Sequence, residues 1–511
     1  MASTCFVVTI RATSVTVSNG EEAMYILANL IDMLTYEDEF AEDTKTLGFL
    51  YDKETDTLFL HKGVDIDYLR RCLGNIRVEY DLHHPFKPMK FEYEEIIAPR
   101  DTEQEDVIDF ITGQRYHAGN IEDSQVFLIL GTGKGKTFCS GVGLCKLKMK
   151  TLIIMHRDAL RYQWMKSLYT MNGLSSDEVH EITSTEELEA IAKGNLKLDY
   201  DVYLLTHATF RASLNRIQHM KDVMNITKNL GIGLKIIDEA HLEFRDTLIM
   251  DFCFNVKRNL YLTATAGRSG KDENSIFRHV FSNATFYKPS MLLTSNAPKK
   301  WVNYTTVEVN THCKPNIYKF RVAGGKGMNP ASYGKWVIQY DKKHIHFKCI
   351  KDLVKLAYEK DQYAKIIVFL PLIDLCEDCV YFLKTQLDRD KDFEYDLDIR
   401  TICSKNSKKD NEYAQRSDII VTTIQSCGTG TDIKGITTII SCSPYVSKIT
   451  CSQVFGRIRY NGKIGDYYDI YDASVPMDRF WLKSRYKTLK HLALNVRNIT
   501  WSDDEESNDA P

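Results

Sequence analysis

No stretch of this chain approaches the ~20 consecutive apolar residues that a membrane span requires, so no segment is read as crossing a bilayer. Nor is there an excess of basic charge. Lys and Arg number 66 against 69 Asp and Glu, a formal charge of −3. That balance excludes a uniformly basic nucleic-acid coat and leaves any polyanion site to local clustering. The thirteen cysteines form no regular framework, which argues against a disulfide scaffold and for reduced thiols inside a cell. Cys376 and Cys379 make one CxxC, but no second CxxC accompanies it. The pair reads either as zinc ligands or as two small apolar side chains of the helical segment DLCEDCVYFL, and its amphipathic pattern favours the second. The first residues, MASTCFVVTIRATSV, alternate as a strand does and lack the charged start of a secretory signal. The expectation is a soluble protein of the cytoplasm, without a membrane partner. No short repeat is visible.

What is present is ordinary for a globular chain: 511 residues, 43% hydrophobic and 26% charged, enough for roughly three domains. Residues 1–95 read as a small α/β accessory domain. CFVVTIRA alternates as a half-buried strand, and EEAMYILANLIDMLTY has helical spacing. LGFLYDKETDTLFLHKG reads as a hairpin around Lys53-Glu54-Thr55-Asp56, and DIDYLRRCLGN as a helix ended by Gly74-Asn75. From residue 96 onward apolar runs alternate with helical patterns: SQVFLILG, KTLIIMH, YDVYLLTH, LKIIDEAH and RNLYLTAT. A second series comes later, in KIIVFLP, SDIIVTT, TTIISCS and GDYYDIYD. Such alternation predicts βαβ units on parallel sheets buried on both faces. The boundary between the two α/β domains, 96–296 and 297–500, falls near 296, and residues 285–355 read as less regular, with Gly324, Gly325 and Gly327 near their middle. Residues 501–511 read as an acidic, disordered tail.

One short stretch carries the chemistry. LILGTGKGKT, residues 128–137, places glycines and lysines between a strand-like run and a helical one. Glycines let backbone N–H groups turn toward anionic oxygens, and the helix N-terminus adds partial positive charge. Thr132, Gly133, Lys134, Gly135, Lys136 and Thr137 are therefore candidates to hold the phosphates of ATP. Lys136 would reach the β and γ phosphates and the Thr137 hydroxyl would ligate Mg²⁺. The pattern GxxxxGK[ST] wants glycine where Leu130 stands, while Gly133-x-Gly135-Lys136-Thr137 is intact. The alternative is a glycine-rich turn with solvated lysines. A second stretch, LKIIDEAH, ends an apolar run in two carboxylates, 101 residues beyond Thr137. Asp238 would hold the metal partly through water, Glu239 would deprotonate the attacking water, and His241 would sense the γ-phosphate.

With these two segments in place the chain resembles the superfamily 2 helicases. TEQEDVIDFI resembles their glutamine motif, which makes Gln104 the candidate adenine reader. TLIIMHRDALRYQWMKSL resembles the segment lying along the nucleic-acid strand, and LTATAGR, with Thr263, Ala264 and Thr265, the motif coupling hydrolysis to movement. VTTIQSCGTGTDIKG resembles the fifth motif, with Gly430 and Asp432 near the ribose. QVFGRIRY resembles the sixth, with Gln453 and Arg457 facing the γ-phosphate. The resemblance spans roughly residues 96–475 in the family order. ALRYQW and the DEAH box are most similar to the UvsW-type and XPB-type DNA helicases of phages, viruses and cells, and poxvirus-type transcript-release helicases are close in pattern. One departure stands out: the sixth motif usually reads QxxGRxxR, and here Tyr460 occupies the last position with Arg459 before it.

The resemblance implies two tandem RecA-like parallel-sheet lobes behind the small accessory domain. Lys136, Thr137, Asp238 and Glu239 from the first and Gln453 and Arg457 from the second would act on one Mg²⁺·ATP. Arg157, Gln163, Thr206 and Thr423 would track the nucleic-acid backbone, against the alternative of ordinary exposed positions. Trp164 reads as core rather than as a base-stacking platform, and the lysines of KLKMK (146–150) as a solvated helix end. Arg70, Arg71 and Arg77 could touch phosphate but read more simply as a solvated face. The implied function is an ATP-dependent DNA helicase or branch-migrating translocase of recombination, repair or replication, working on branched or single-stranded DNA. An RNA or RNA–DNA hybrid helicase of viral transcription is one alternative. An ATP-switched annealing protein with little unwinding is another.

Overall fold

The computed structural model describes residues 5–37, 45–114, 124–131, 134–263, 271–287, 300–312, 330–338, 344–428, 433–445 and 447–503. The chain divides into two compact units, Met1–Asn296 and Ala297–Pro511.

The first unit opens on a mixed sheet of β1 (Phe6–Arg11), β2 (Ser14–Ser18), β5 (Phe49–Asp52), β6 (Thr57–His61) and β7 (Ile76–Asp81), in the order β5-β6-β2-β1-β7. β3 (Thr35–Glu37) and β4 (Lys45–Leu47) pair separately. The expected hairpin is present as β5 and β6, antiparallel. The single helix expected over 21–36 is instead α1 (Gly20–Ile26) and α2 (Ala28–Met33), broken at Leu27. The break keeps Ala23, Leu27, Leu30 and Leu34 in one core under the sheet. α3 (Ile66–Leu73) ends at Gly74, whose φ of 74° suits glycine.

This sheet does not stand apart. Arg11, 5% exposed, donates to the Phe252 carbonyl at 2.7 Å; Thr13 Oγ1 donates to Asp251 O at 2.6 Å, and Ala12 N to Asn255 Oδ1 at 3.0 Å. Phe59 belongs to the same apolar cluster as Phe127, Ile154 and Tyr261. The strap after it is tied down as well. Lys148 pairs with Glu92 at 2.7 Å, and Lys150, 1% exposed, pairs with Asp199 at 2.6 Å. Of the KLKMK lysines, Lys150 is buried and engaged in the protein, while Lys146 and Lys148 are exposed as expected.

The larger sheet of this unit consists of β8 (Gln125–Ile129), β9 (Thr151–Met155), β10 (Val179–Ile182), β11 (Val202–Thr206), β12 (Leu234–Ile237), β13 (Arg258–Thr263) and β14 (Thr285–Phe286). All seven are parallel, in the order β10-β11-β9-β12-β13-β8-β14. Around it pack α4 (Thr102–Thr112), α5 (Lys136–Leu147), α6 (Asp158–Asn172), α7 (Thr185–Ala192), α8 (His207–Leu214), α9 (Met220–Leu230), α10 (Phe244–Cys253) and α11 (Lys271–Val280). The apolar runs of the strands serve both faces by alternation. Phe127, Ile154, Leu205 and Ile237 enter one core; Leu128, Ile153, Leu204 and Ile236 enter the other. Among the buried charged groups, Lys235 pairs with Asp251, which also accepts from Tyr261 Oη at 2.9 Å.

The second unit repeats the plan. β15 (Val302–Val309), β16 (Ile366–Phe369), β17 (Ile399–Ile402), β18 (Ile419–Thr422), β19 (Thr438–Ser441), β20 (Gly465–Asp472) and β21 (Val496–Thr500) form a parallel sheet in the order β17-β18-β16-β19-β20-β15-β21. Counted from the first strand of each sheet, both units run 3-4-2-5-6-1-7. The main helices are α12 (Ile345–Lys360), α13 (Ile373–Arg389), α14 (Lys408–Ala414), α15 (Lys448–Phe455) and α16 (Pro476–Leu489).

Two expectations are corrected by these elements. The stretch 285–355, expected to be less regular, contains the regular strand β15, which pairs on both sides with β20 and β21. The acidic tail does not start at 501: Trp501 Nε1 donates to Asp352 at 3.0 Å, and Asp503 pairs with Lys348 at 2.7 Å. Cys376 and Cys379 lie buried in α13, where burial pushes both thiols up, and among the described residues no group of three or more His, Cys, Asp or Glu is placed to hold a metal ion. No helix among the described residues is long and apolar enough to cross a membrane.

Candidate functional site

Five parallel strands of the first unit end on one edge of their sheet, and each end carries a candidate residue. Ligands of open α/β sheets bind at that edge. β8 runs into the glycine-rich loop, whose first residue is pinned by Leu130 N donating to Thr263 O at 3.0 Å. Thr132 and Gly133 lie outside the described residues. Gly135, at φ 88°, turns the chain into α5, and a Cβ there would come within 2.4 Å of Gln104 Nε2. Glycine is favoured at 135 by the backbone angle, and a Cβ there would displace the Gln104 amide. Lys136 is the first residue of α5 and folds back over the loop, its Nζ donating to Leu130 O at 3.0 Å. Thr137 is next, half-buried.

Gln104 sits against this loop. Its Oε1 accepts from Arg100 N at 2.8 Å and its Nε2 lies 3.5 Å from Lys134 O. The Asp101 side chain caps α4 by accepting from Gln104 N at 3.0 Å. Lys134 pairs with Glu103 at 2.6 Å. The segment expected to read adenine thus also braces the phosphate loop.

β12 delivers the acidic pair. Asp238 N donates to Ile154 O at 2.8 Å and Ala240 N to Leu262 O at 2.9 Å, so the turn is stitched to the strands on either side. Asp238, 5% exposed, accepts from Trp164 Nε1 at 2.8 Å and from Glu239 N at 3.0 Å. Burial pushes its carboxyl up, opposed by the Trp164 hydrogen bond and the charge of Lys136. Glu239 adopts a left-handed φ of 52°, uncommon for a side-chain-bearing residue and typical of functional sites. His241 Nδ1 lies 2.9 Å from Thr263 Oγ1 and 3.2 Å from Glu239 Oε2, joining the acidic turn to the end of β13. Ala264 and Thr265 lie outside the described residues.

β9 and β11 supply the other half of the edge. Arg157 is the half-buried N-cap of α6, and Gln163 lies on that helix. Thr206 caps α8, its Oγ1 accepting from Thr209 N at 3.1 Å. Beside them lies an ionic cluster that sequence reasoning misses. Glu243, at φ 45°, faces His156 Nδ1 at 3.1 Å and pairs with Arg211, which also reaches Asp246 Oδ2 at 2.6 Å. The His156 hydrogen bond and the Arg211 charge hold Glu243 down at about 2, while burial holds His207 down at about 4. The one signal for it in the sequence is the LEFRD run just after the acidic pair.

In the second unit Gln453 and Arg457 are both 7% exposed, at the end of α15 and just beyond it. Arg457 lies near Cys427, where its charge opposes the burial that pushes the thiol up to about 11. Arg459 is exposed, and so is Tyr460, whose ring lies 6.0 Å from that of Trp301. Thr423 is buried and accepts from Ser426 N at 3.2 Å. Gly430 and Asp432 lie outside the described residues. Arg70 and Arg77 each pair with a carboxylate of their own element, and Arg71 Nη2 lies 3.8 Å from Asp65, the N-cap of its helix.

The residues of the first unit fit a magnesium-bound nucleotide. A glycine loop opens a helix bearing a lysine and a threonine, and a buried carboxylate within reach of the lysine's charge stands on the neighbouring acidic turn. The sheet edge of the first unit is thus a candidate nucleotide site on a parallel sheet whose strand order recurs in the second unit. Residues 96–268 match the family described as type III restriction enzyme, res subunit. The yeast (S. cerevisiae) protein Dbp5, solved with RNA and ADP BeF3, superposes with a TM-score of 0.52 at 12% identity, over 79% of this chain and 91% of that one. T4 UvsW is aligned over 98% of this chain and 99% of its own at 16% identity, with a TM-score of 0.35. The Pyrococcus furiosus Hef helicase domain is aligned over 76% and 98% at 14% identity, with a TM-score of 0.44. No curated protein matches the chain. The family match covers less than half of the chain, and the superposition on Dbp5 shows the fold, two tandem RecA-like lobes.

Proposed function

We propose that the chain is a motor that couples ATP hydrolysis to movement along DNA, unwinding or branch-migrating it. The observation that supports this most is the division of one sheet edge. β8, β12 and β13 end in the phosphate loop, the acidic turn and Thr263, while β9 and β11 end in Arg157 and Thr206. In this reading Lys136 binds the outer phosphates, and Thr137 and Asp238 hold Mg²⁺, Asp238 partly through water. The metal neutralises charge on the transferred phosphoryl group. Glu239 takes the proton of the attacking water. Gln104 reads the adenine, Lys134 and Gly135 close the loop, and Gly430 and Asp432 lie at the ribose. The second unit supplies Gln453 and Arg457, the latter as an arginine finger. Arg157, Gln163, Thr206 and Thr423 contact the backbone of the strand, which suits movement without regard to sequence.

DNA is favoured by the DEAH-type and UvsW-like segments, and the small N-terminal sheet is proposed to meet branched DNA. An RNA or hybrid substrate is the alternative, since Dbp5 is a protein solved with RNA. The exposed Tyr460, in place of a second arginine, favours a third reading: an ATP-switched annealing protein. Strand separation of forked DNA, a Holliday-type junction, an R-loop and an RNA duplex tests the order. ATP-dependent opening of the DNA forks is expected. Opening of the RNA duplex alone would transfer the function to transcription, and strand annealing without opening would support the switch.

A further inference from the structure

α6 carries more than the proposed strand contacts. Its Trp164 is 1% exposed and packs in the core of the first unit, yet its indole N–H is aimed outward from that core at one atom, Asp238 Oδ2, at 2.8 Å. The other oxygen, Oδ1, accepts from Glu239 N at 3.0 Å. Among the described residues each oxygen of the carboxylate thus has one protein donor, which fixes the rotation of the group and leaves lone pairs to face a ligand. Of the two donors only the indole is a side chain, and it comes from a different element of the sheet edge.

We infer that Trp164 is a positioning residue for Asp238, orienting the carboxylate that receives the magnesium of the nucleotide. This rests on the proposed role of Asp238. It differs from a core-filling role in one respect: the N–H matters as well as the ring volume. It also means that the helix bearing Arg157 and Gln163 is joined by the Trp164 hydrogen bond to the carboxylate proposed to hold the metal. Partners that orient a metal ligand typically change metal affinity by ~10–100-fold when removed.

The test is the Mg²⁺ dependence of fluorescent-ATP binding to the full chain, with thermal unfolding as a control. Trp164→Phe keeps an aromatic ring and deletes the N–H; Trp164→Leu deletes both. The expected result is that Trp164→Phe unfolds near the parent temperature but needs ~10-fold more Mg²⁺ for half-maximal nucleotide binding, with binding recovered at high Mg²⁺. Parent-like Mg²⁺ dependence in Trp164→Phe, with a defect only in the less stable Trp164→Leu, would overturn the inference and leave Trp164 as core. A parent protein whose nucleotide binding ignores Mg²⁺ would instead remove the role of Asp238 on which the inference rests.

Discussion

The two seven-stranded sheets share one strand order, 3-4-2-5-6-1-7, and differ in the residues placed at the strand ends. After strand 5 the first unit places Asp238 and Glu239; the second places Cys442 and Ser443. After strand 1 the first unit has the glycine-rich loop; the second has Asn310 and Thr311, with Thr311 bonded to Asp472. After strand 4 the two agree. Thr206 and Thr423 each accept the backbone N–H three residues on, at 3.1 and 3.2 Å. The duplicated fold thus carries the threonine cap twice and the glycine-rich loop with its acidic turn once. Function is carried by the loops at the sheet edge, not by the sheet.

The largest expected effects separate the two units by chemistry. Glu239→Gln should lower ATP turnover by ~10³-fold while nucleotide binding persists, as loss of a general base does. Lys136→Ala should abolish binding itself, measured by fluorescent-ATP titration. In the second unit Arg457→Ala should also cost ~10³-fold in turnover with binding near the parent's. Arg459→Ala should change turnover little, since Arg459 is exposed. A large loss at Arg459 would mean that it replaces the arginine missing at Tyr460.

Next come the buried ion pairs, one on each side of the comparison. Lys235 with Asp251 and Arg485 with Asp469 are 2% exposed or less, and each aspartate also accepts a tyrosine hydroxyl, from Tyr261 and Tyr304. Lys235→Met and Arg485→Met should each cost ~3–5 kcal/mol in urea unfolding, because a buried carboxylate loses its partner. A cost below ~1 kcal/mol in either would contradict that reading of the pairs.

Buried groups in the two units should respond to acid with opposite sign. Burial holds His207 at about 4 and His61 at about 3, below the ordinary 6.5. Between those values the unfolded chain binds more protons, so this contribution to stability falls as pH drops from about 6.5 toward 4. Asp478 of the second unit is pushed up to about 6 from 3.8 by burial. There the folded chain holds the extra proton, so this contribution falls as pH rises from about 4 to 6. Urea unfolding across pH 4–7 should show His207→Asn flattening the first slope and Asp478→Asn the second. The smallest effect belongs to Arg71→Ala, whose exposed pairing should be worth ~0.5 kcal/mol or less.

Much of this is legible in the sequence, because buried parallel strands must be apolar runs and phosphate loops must be glycine-rich. KTLIIMH, LKIIDEAH and GDYYDIYD each contain a strand, and Gly135 has the left-handed turn that its neighbours demand. β15 is not legible: VNYTTVEV interleaves polar and apolar residues, so it resembles a loop until its partners are known. The docking of Arg11 and Thr13 onto residues 251–255 is equally invisible, being a contact across some 240 residues. The core position of Trp164 can be read from its helix, but nothing in ALRYQW shows that its N–H meets Asp238.

The central claim is that the acidic turn of the first unit hydrolyses ATP in response to nucleic acid. Steady-state ATP turnover with Mg²⁺, without polymer and with single-stranded DNA, duplex DNA or RNA, in the parent and in Glu239→Gln, tests it most directly. Strong stimulation by DNA that vanishes in the variant is the predicted result. Turnover that no polymer stimulates, or that survives in Glu239→Gln, would contradict it.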